Sequence, residues 1–185
     1  MGAHVFAIDI SQEAINVARI RLHHYGREDA VSFEVMTVES LHYPEAMFDV
    51  VVGEYILHHV EVDLSAAQIS RVLKPGGQAI FFEWLRWGPF DSLRSQKLIR
   101  KLFPPGPGDV TDDERKIDSR DMDILHSRFS EVSVTRFWTL ARLRYFWPRL
   151  YTWFARVDHW SYRYAPFLRQ WGGAGIITLV KRPVA

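Results

Sequence analysis

Three groups of side chains in this sequence could do chemistry. Asp9 closes the apolar run Val5-Phe6-Ala7-Ile8 and stands two residues before Ser11. A carboxylate at the C-terminal end of a strand, just before a helix, can accept hydrogen bonds from both hydroxyls of a ribose. It is equally a good neighbour for a helix N-terminus. His58 and His59 are adjacent. One imidazole of such a pair can act as a general base, or both can pack at a helix entrance. A metal site is disfavoured, because neighbouring histidines on one element rarely point the same way and no second ligand pair has zinc-like spacing. Glu83 directly follows the apolar run Ala79–Phe82. It reads either as a base at the edge of a pocket or as a solvated or ion-paired acid. His23 and His24 favour the dipole at the end of the first helix. With no cysteine in 185 residues, disulfides, thiolate metal sites and cysteine nucleophiles are excluded.

The elements that must position these residues can be read from periodicity. His4–Asp9 is a short strand. Ser11 caps a helix whose Ile15, Ala18, Leu22 and Tyr25 recur at three-to-four spacing, and Gly26 ends it. Val31–Met36 alternates as a strand, and Phe48–Val52 is a β-branched run suited to burial on both faces. A helix is expected from about Asp63 to Leu73, then a turn at Lys74-Pro75-Gly76-Gly77, then a buried strand at Ala79–Phe82. Further helices are expected over Ser92–Phe103, ended by Pro104–Gly108, and over Asp118–Phe129. Strands follow at Glu131–Phe137 and Gly175–Val180. Strands alternating with helices predict an α/β fold, a mostly parallel sheet with helices on both faces. The length suits a single domain over 1–185.

Charge is balanced, 23 Lys plus Arg against 22 Asp plus Glu, which argues against a nucleic-acid binder. The balance is a sum of unlike parts. Residues 137–171 hold about half of the aromatics and Arg142, Arg144, Arg149, Arg156, Arg163 and Arg169, against the single acid Asp158. This aromatic-rich insertion before the last strand can wall an apolar acceptor pocket, make peripheral contact with a membrane, or pack the sheet with arginine stems. No run of about 18 apolar residues occurs, so no transmembrane segment is expected. The first residues lack the charged and apolar regions of a signal peptide, which makes a cytoplasmic protein the default.

The order of three segments raises the specificity. Val5–Ser11, then Phe48–Val52 with Leu57-His58-His59-Val60, then Arg71-Val72-Leu73-Lys74-Pro75-Gly76-Gly77, together resemble the class I S-adenosylmethionine-dependent methyltransferases, especially their small-molecule branch. The resemblance covers about residues 2 to 84 and continues to the end as topology. It implies a Rossmann-like fold, S-adenosyl-L-methionine as cofactor, and methyl transfer to a small-molecule acceptor of aromatic or lipidic character. By position, Asp9 matches the acid that binds the ribose hydroxyls and Ile10 the apolar residue that packs on adenine. Thr37, Val38 and Glu39 stand where the family commonly has Asp-Ala-Glu. Val38 can still offer its backbone N–H to adenine, while Thr37 replaces the usual acceptor for the adenine amino group. Gly53, Glu54 and Tyr55 stand near the methionine moiety, with Glu54 able to meet the ammonium or sulfonium charge. His58 and His59 match a frequent histidine pair, one of them a candidate base, and Glu83 lies at the pocket edge. In-line transfer from a sulfonium needs mainly alignment and desolvation.

The family's glycine-rich turn, acid-x-Gly-x-Gly-x-Gly, occurs nowhere in the 185 residues. The first, central strand and its loop are therefore expected to be missing, an N-terminal truncation. The strands ending at Asp9 and Val52 should then pair directly or leave open edges. The isolated chain is expected to bind cofactor poorly and to be inactive. Two other functions compete: a non-catalytic interaction module derived from a methyltransferase, and an NAD-dependent dehydrogenase. The latter has no reason to carry Leu73–Gly77. Oligomeric state is not legible.

Overall fold

The structure, a computed structural model, describes residues 2–26, 28–85, 117–145 and 147–183. In chain order its elements are β1 (Val5–Asp9), α1 (Gln12–His24), β2 (Val31–Val35), β3 (Phe48–Glu54), α2 (Val62–Val72), β4 (Leu73–Trp84), α3 (Ser119–Arg128), β5 (Glu131–Phe137), α4 (Tyr151–Tyr164) and β6 (Ala174–Val180). The helix expected at Ser92–Phe103 and the Pro-Gly stretch after it lie outside the described residues.

The strands form two sheets. β1 pairs with β2 in parallel, and β3, β4, β6 and β5 form a four-stranded sheet in that order. β3 and β4 are parallel, whereas β6 runs antiparallel to both β4 and β5. The α/β architecture thus stands, but its C-terminal half is antiparallel. A strand reached from β5 through the aromatic segment returns between its neighbours instead of crossing over the sheet.

The larger sheet has unlike faces, because successive side chains alternate. Phe81, Ala79, Ile177 and Leu179 point into a core shared with Ile69 of α2 and with Leu125 and Phe129 at the end of α3. On the other face Val50 and Val52 are exposed, Val52 by 74%. Among the described residues α2 and α3 cover the face that carries Ala79 and Phe81. Lys74–Gly77 proves to be a bulge within β4 rather than a separate turn: Phe48 pairs with Leu73 and Val50 with Gln78. Gly76 adopts φ +75°, which glycine alone takes readily.

β1 and β3 share no ladder among the described residues. The two sheets meet through side chains. Phe6, Tyr43 and Phe48 form an edge-to-face triad with centroids 5.1–5.6 Å apart. Ile8 and Val51 join Met36, Leu41 and Val72 in a second small core. Arg71 of α2 donates to the carbonyls of Tyr43 and Leu41, both at 2.7 Å, tying the β2–β3 connection to the larger sheet.

Candidate active site

The site residues fall on the C-terminal ends of β1, β2, β3 and β4. At the end of β1, the Asp9 carboxylate accepts the Ser11 N–H at 2.8 Å. Ser11 in turn caps α1 by accepting from Ala14 N at 3.1 Å, as its position before an amphipathic run foretells. Asp9 remains exposed, and Ile10 beside it is 78% exposed. After β2, the Thr37 hydroxyl donates to Glu39, whose other oxygen accepts from Glu61 N at 3.4 Å. Burial pushes the Glu39 carboxyl up, but these hydrogen bonds outweigh it and hold it below its ordinary range. The loop is thereby clipped to the residue that precedes α2, and Val38 packs against the main core.

β3 ends in a tight reversal. A Cβ on Gly53 would lie 2.6 Å from two ring carbons of Phe81 and 2.8 Å from Ile56, so packing alone requires glycine there. Glu54 is exposed. Tyr55 follows at φ +54°, an uncommon conformation for a bulky residue, which costs of order 1 kcal/mol or more. Its N–H donates to Phe82 O at 2.8 Å. The chain then enters a 3₁₀ turn, Leu57–His59.

Glu83 lies directly beneath that turn and is fully buried. One carboxylate oxygen accepts Ile56 N at 2.9 Å and Leu57 N at 2.7 Å; the other is 2.7 Å from His58 Nδ1. These are donors that the start of a turn would otherwise leave orphaned. A buried carboxylate is tolerable only with such partners. Because a carboxylate can only accept, the proton of a neutral His58 belongs on Nδ1, and Nε2 keeps the lone pair. His58 is 8% exposed; the His59 ring lies 4.0 Å from it, tilted 41°, on the exposed side. The structure therefore joins His58 and Glu83 across 25 residues, a partnership that sequence spacing did not suggest. Glu83 has both oxygens engaged inside the protein. Among the described residues no cluster of three metal-ligating side chains occurs.

The opposite side of β4 carries an aromatic wall. Tyr55 stacks on Trp84 at 5.3 Å, and Phe82 stacks on Phe137 at 5.6 Å. Trp138 meets Phe82 edge-on at 5.8 Å and lies under the Arg144 guanidinium at 4.6 Å. Trp138 also has positive φ, at +60°. Two strained residues at two strand ends thus deliver their rings to one cluster. Beyond it, the aromatic segment is locked by Asp158 of α4, a 4%-exposed carboxylate that accepts Leu140 N at 2.8 Å and Ala141 N at 2.9 Å. Burial raises the Asp158 carboxyl, with these N–H donors opposing. Thr139 and Tyr162 complete the lock through a 2.6 Å hydroxyl pair. Asp158 and Tyr162 were not singled out as partners from sequence; the signal was available, since Asp158 is the only acid in a segment rich in arginine.

Comparison with known proteins bears on this geometry. A family described as a methyltransferase domain matches residues 1–81. Over 100 residues the chain is 36% identical to a ubiquinone/menaquinone biosynthesis C-methyltransferase of Hydrogenovibrio crunogenus, covering 54% of this chain and 37% of that protein. Over 116 residues it is 35% identical to a ubiquinone biosynthesis O-methyltransferase of Thiobacillus denitrificans, covering 59% of this chain and 48% of the relative. The chain thus spans less than half the length of these curated relatives. Among solved structures, the [4+2]-cyclase SpnF superposes with a TM-score of 0.59 at 20% identity, over 99% of this chain and 67% of that one. A geranyl diphosphate C-methyltransferase from Streptomyces coelicolor gives 0.57 at 15% identity, over 98% and 65%. These two likenesses speak for the fold alone.

Proposed function

We propose that this chain is a class I S-adenosylmethionine-dependent methyltransferase, that it uses residues 1–81 to hold the methyl donor, and that it methylates a small, largely apolar acceptor. The observation that carries the reading is the match of those residues to a methyltransferase domain, with the exposed Asp9 carboxylate at a strand end inside it. S-adenosylmethionine, when bound, would supply a methyl group on a sulfonium leaving group.

The residues present fit that cofactor in part. Asp9 is braced by Ser11 N–H and open to solvent, which suits the two ribose hydroxyls. Ile10 offers exposed apolar surface to adenine. Val38 offers a backbone N–H. The Thr37 hydroxyl is committed to Glu39, so these two form one polar unit rather than two separate contacts. Glu54, exposed at the end of β3, suits an ammonium group. Gly53 is accounted for by Phe81 and Ile56 and needs no ligand to explain it.

The acceptor side is assigned to the aromatic wall of Tyr55, Phe82, Trp84, Phe137 and Trp138. Rings of this kind hold flat or prenyl-like molecules by dispersion and exclude water. The named relatives act in ubiquinone and menaquinone biosynthesis, in keeping with an aromatic or lipidic acceptor. For a hydroxyl or amine acceptor that extends from the wall past the end of β4 to the His58 side, His58 Nε2 takes the proton, His59 flanks it, and Glu83 holds its tautomer. For a carbon acceptor, alignment carries most of the work.

The open edges of β1 and β3 have a role in this reading. A parallel strand inserted between them, bearing a glycine-rich turn, would place backbone N–H groups against the methionine portion. Without such a strand the chain should hold cofactor weakly. The sides of β1 and β3 that share no ladder among the described residues also suit, as a second reading, an interaction module. Calorimetry with S-adenosylhomocysteine and with NAD separates these readings. The chain should bind S-adenosylhomocysteine tightly only when extended at its N-terminus by the strand and glycine turn of the Hydrogenovibrio crunogenus relative. Asp9→Asn in that extended chain should weaken binding about 10- to 100-fold, as for hydrogen bonds to a charged group. Failure of the extended, folded chain to bind S-adenosylhomocysteine would favour the interaction module; preference for NAD would favour a dehydrogenase.

A further inference from the structure

The aromatic segment has a second surface that the methyl-transfer reading does not use. α4 buries Phe154 and Asp158 against the lock described above. Its other side is exposed: Trp153 by 58%, Trp160 by 63% and Tyr164 by 65%. At about 100° per residue these three rings fall within roughly 40° of one another on the helix. Arg156 and Arg163 flank the strip on one side, both exposed, and Arg163 reaches within 5.9 Å of the Tyr164 ring. Phe167, 64% exposed, and the exposed Arg169 extend the strip past the end of the helix. Trp147, Arg149 and Leu150 extend it before the start, all exposed.

An ordinary solvated helix face carries few large aromatics, and exposed apolar strips mark interaction sites. Its charge narrows the partner. Among residues 141–171 the only acid is Asp158, and it is buried on the far side, so nothing within the segment neutralises the exposed arginines. The partner must be anionic and must also accept indole and phenol rings at its surface. The headgroup layer of an acidic bilayer does both: Trp and Tyr settle at the boundary and Arg meets phosphate. No helix among the described residues is long and apolar enough to cross a membrane. The contact would lie in the plane of the surface.

We propose that the exposed strip of Trp153, Trp160 and Tyr164 on α4, with Phe167 beyond its end, docks on an anionic lipid surface. The claim is independent of methyl transfer, and its test needs no substrate.

The 185-residue chain is floated with vesicles of phosphatidylcholine alone and of phosphatidylcholine with phosphatidylglycerol, at low and near-physiological salt. Binding should require the anionic lipid and weaken with salt. The double variants Arg156→Glu/Arg163→Glu and Trp153→Ser/Trp160→Ser change only exposed positions. Each should lower vesicle affinity at least about tenfold, with an unchanged melting temperature and circular dichroism spectrum. A shift of indole emission to the blue on binding, absent in the tryptophan variant, would support direct insertion. Absence of binding to anionic vesicles, or binding unchanged in both variants, would overturn the proposal. So would concentration-dependent dimerisation abolished by Trp153→Ser/Trp160→Ser without vesicle binding, which would assign the face to a second copy. Tighter binding to a single-stranded oligonucleotide than to vesicles would assign it to nucleic acid.

Discussion

Two buried carboxylates in this molecule use the same local device to different ends. Glu83 and Asp158 each accept two successive backbone N–H groups from a nearby bend, Ile56 and Leu57 for one, Leu140 and Ala141 for the other. Each is at most 4% exposed. They differ in what the device holds. Glu83 spends its second oxygen on the His58 ring, so pinning the turn also sets which imidazole nitrogen carries the proton. Asp158 spends both oxygens on backbone N–H groups, so it fixes only where α4 sits on the chain after β5. One carboxylate prepares a chemical group; the other places a surface. The contrast shows that a buried acid is neither catalytic nor structural by burial alone. Its remaining partner decides.

Breaking each device should show the difference. Glu83→Leu leaves two buried N–H groups and a ring nitrogen without an acceptor and should cost about 3–5 kcal/mol in urea unfolding. Asp158→Ala strands two N–H groups nearer the surface and should cost about 1–3 kcal/mol. Its effect should concentrate in tryptophan fluorescence from residues 138–171. Gly53→Ala tests how tightly the first device is seated. Its new methyl must displace the Phe81 ring beside the turn, at about 1–3 kcal/mol.

The smallest effect is a pH dependence that belongs to Asp158. Burial raises this carboxyl above its unfolded value. In the window between the two values the folded state binds more protons, so this group's contribution to stability falls as pH rises through it. The chain relative to Asp158→Asn should therefore gain stability as pH is lowered from about 7 towards 4. Asn retains one acceptor oxygen for the Leu140 and Ala141 N–H groups. Subtracting the variant removes the opposite trend contributed by Glu13, Glu28, Glu39 and Asp49, whose carboxyls are all held below their ordinary values. Melting curves of the two proteins that run parallel across that range would show that Asp158 does not titrate in the folded state as its burial implies.

Much of the fold could be read from the chain because it is written locally. Ser11 before an apolar period of three to four foretells the cap on α1, and the β-branched run at Phe48–Val52 foretells β3. What could not be read depends on contacts distant in sequence. The antiparallel return of β6 is a pairing choice between strands more than 30 residues apart. The Glu83–His58 contact spans 25 residues, and each partner alone admits a bland explanation. Tyr55 and Trp138 carry positive φ without being glycine, asparagine or aspartate, so propensity could not mark them. Asp9 illustrates the middle case. Its position at a strand end was legible, and its hydrogen bond to Ser11 follows from local geometry, but its use by a ligand depends on what lies between β1 and β3.

The most direct test of the central claim, that Glu83 presents His58 with its lone pair on Nε2, is the tautomeric state of that ring. Long-range ¹⁵N–¹H correlation on the ¹⁵N-labelled chain at a pH where the ring is neutral reads it without substrate, with His58→Gln supplying the assignment. His58 should be in the Nδ1–H form, and should shift towards the Nε2–H form in Glu83→Gln, whose amide can donate to Nδ1. A His58 ring that is predominantly Nε2–H in the unaltered chain would contradict the claim.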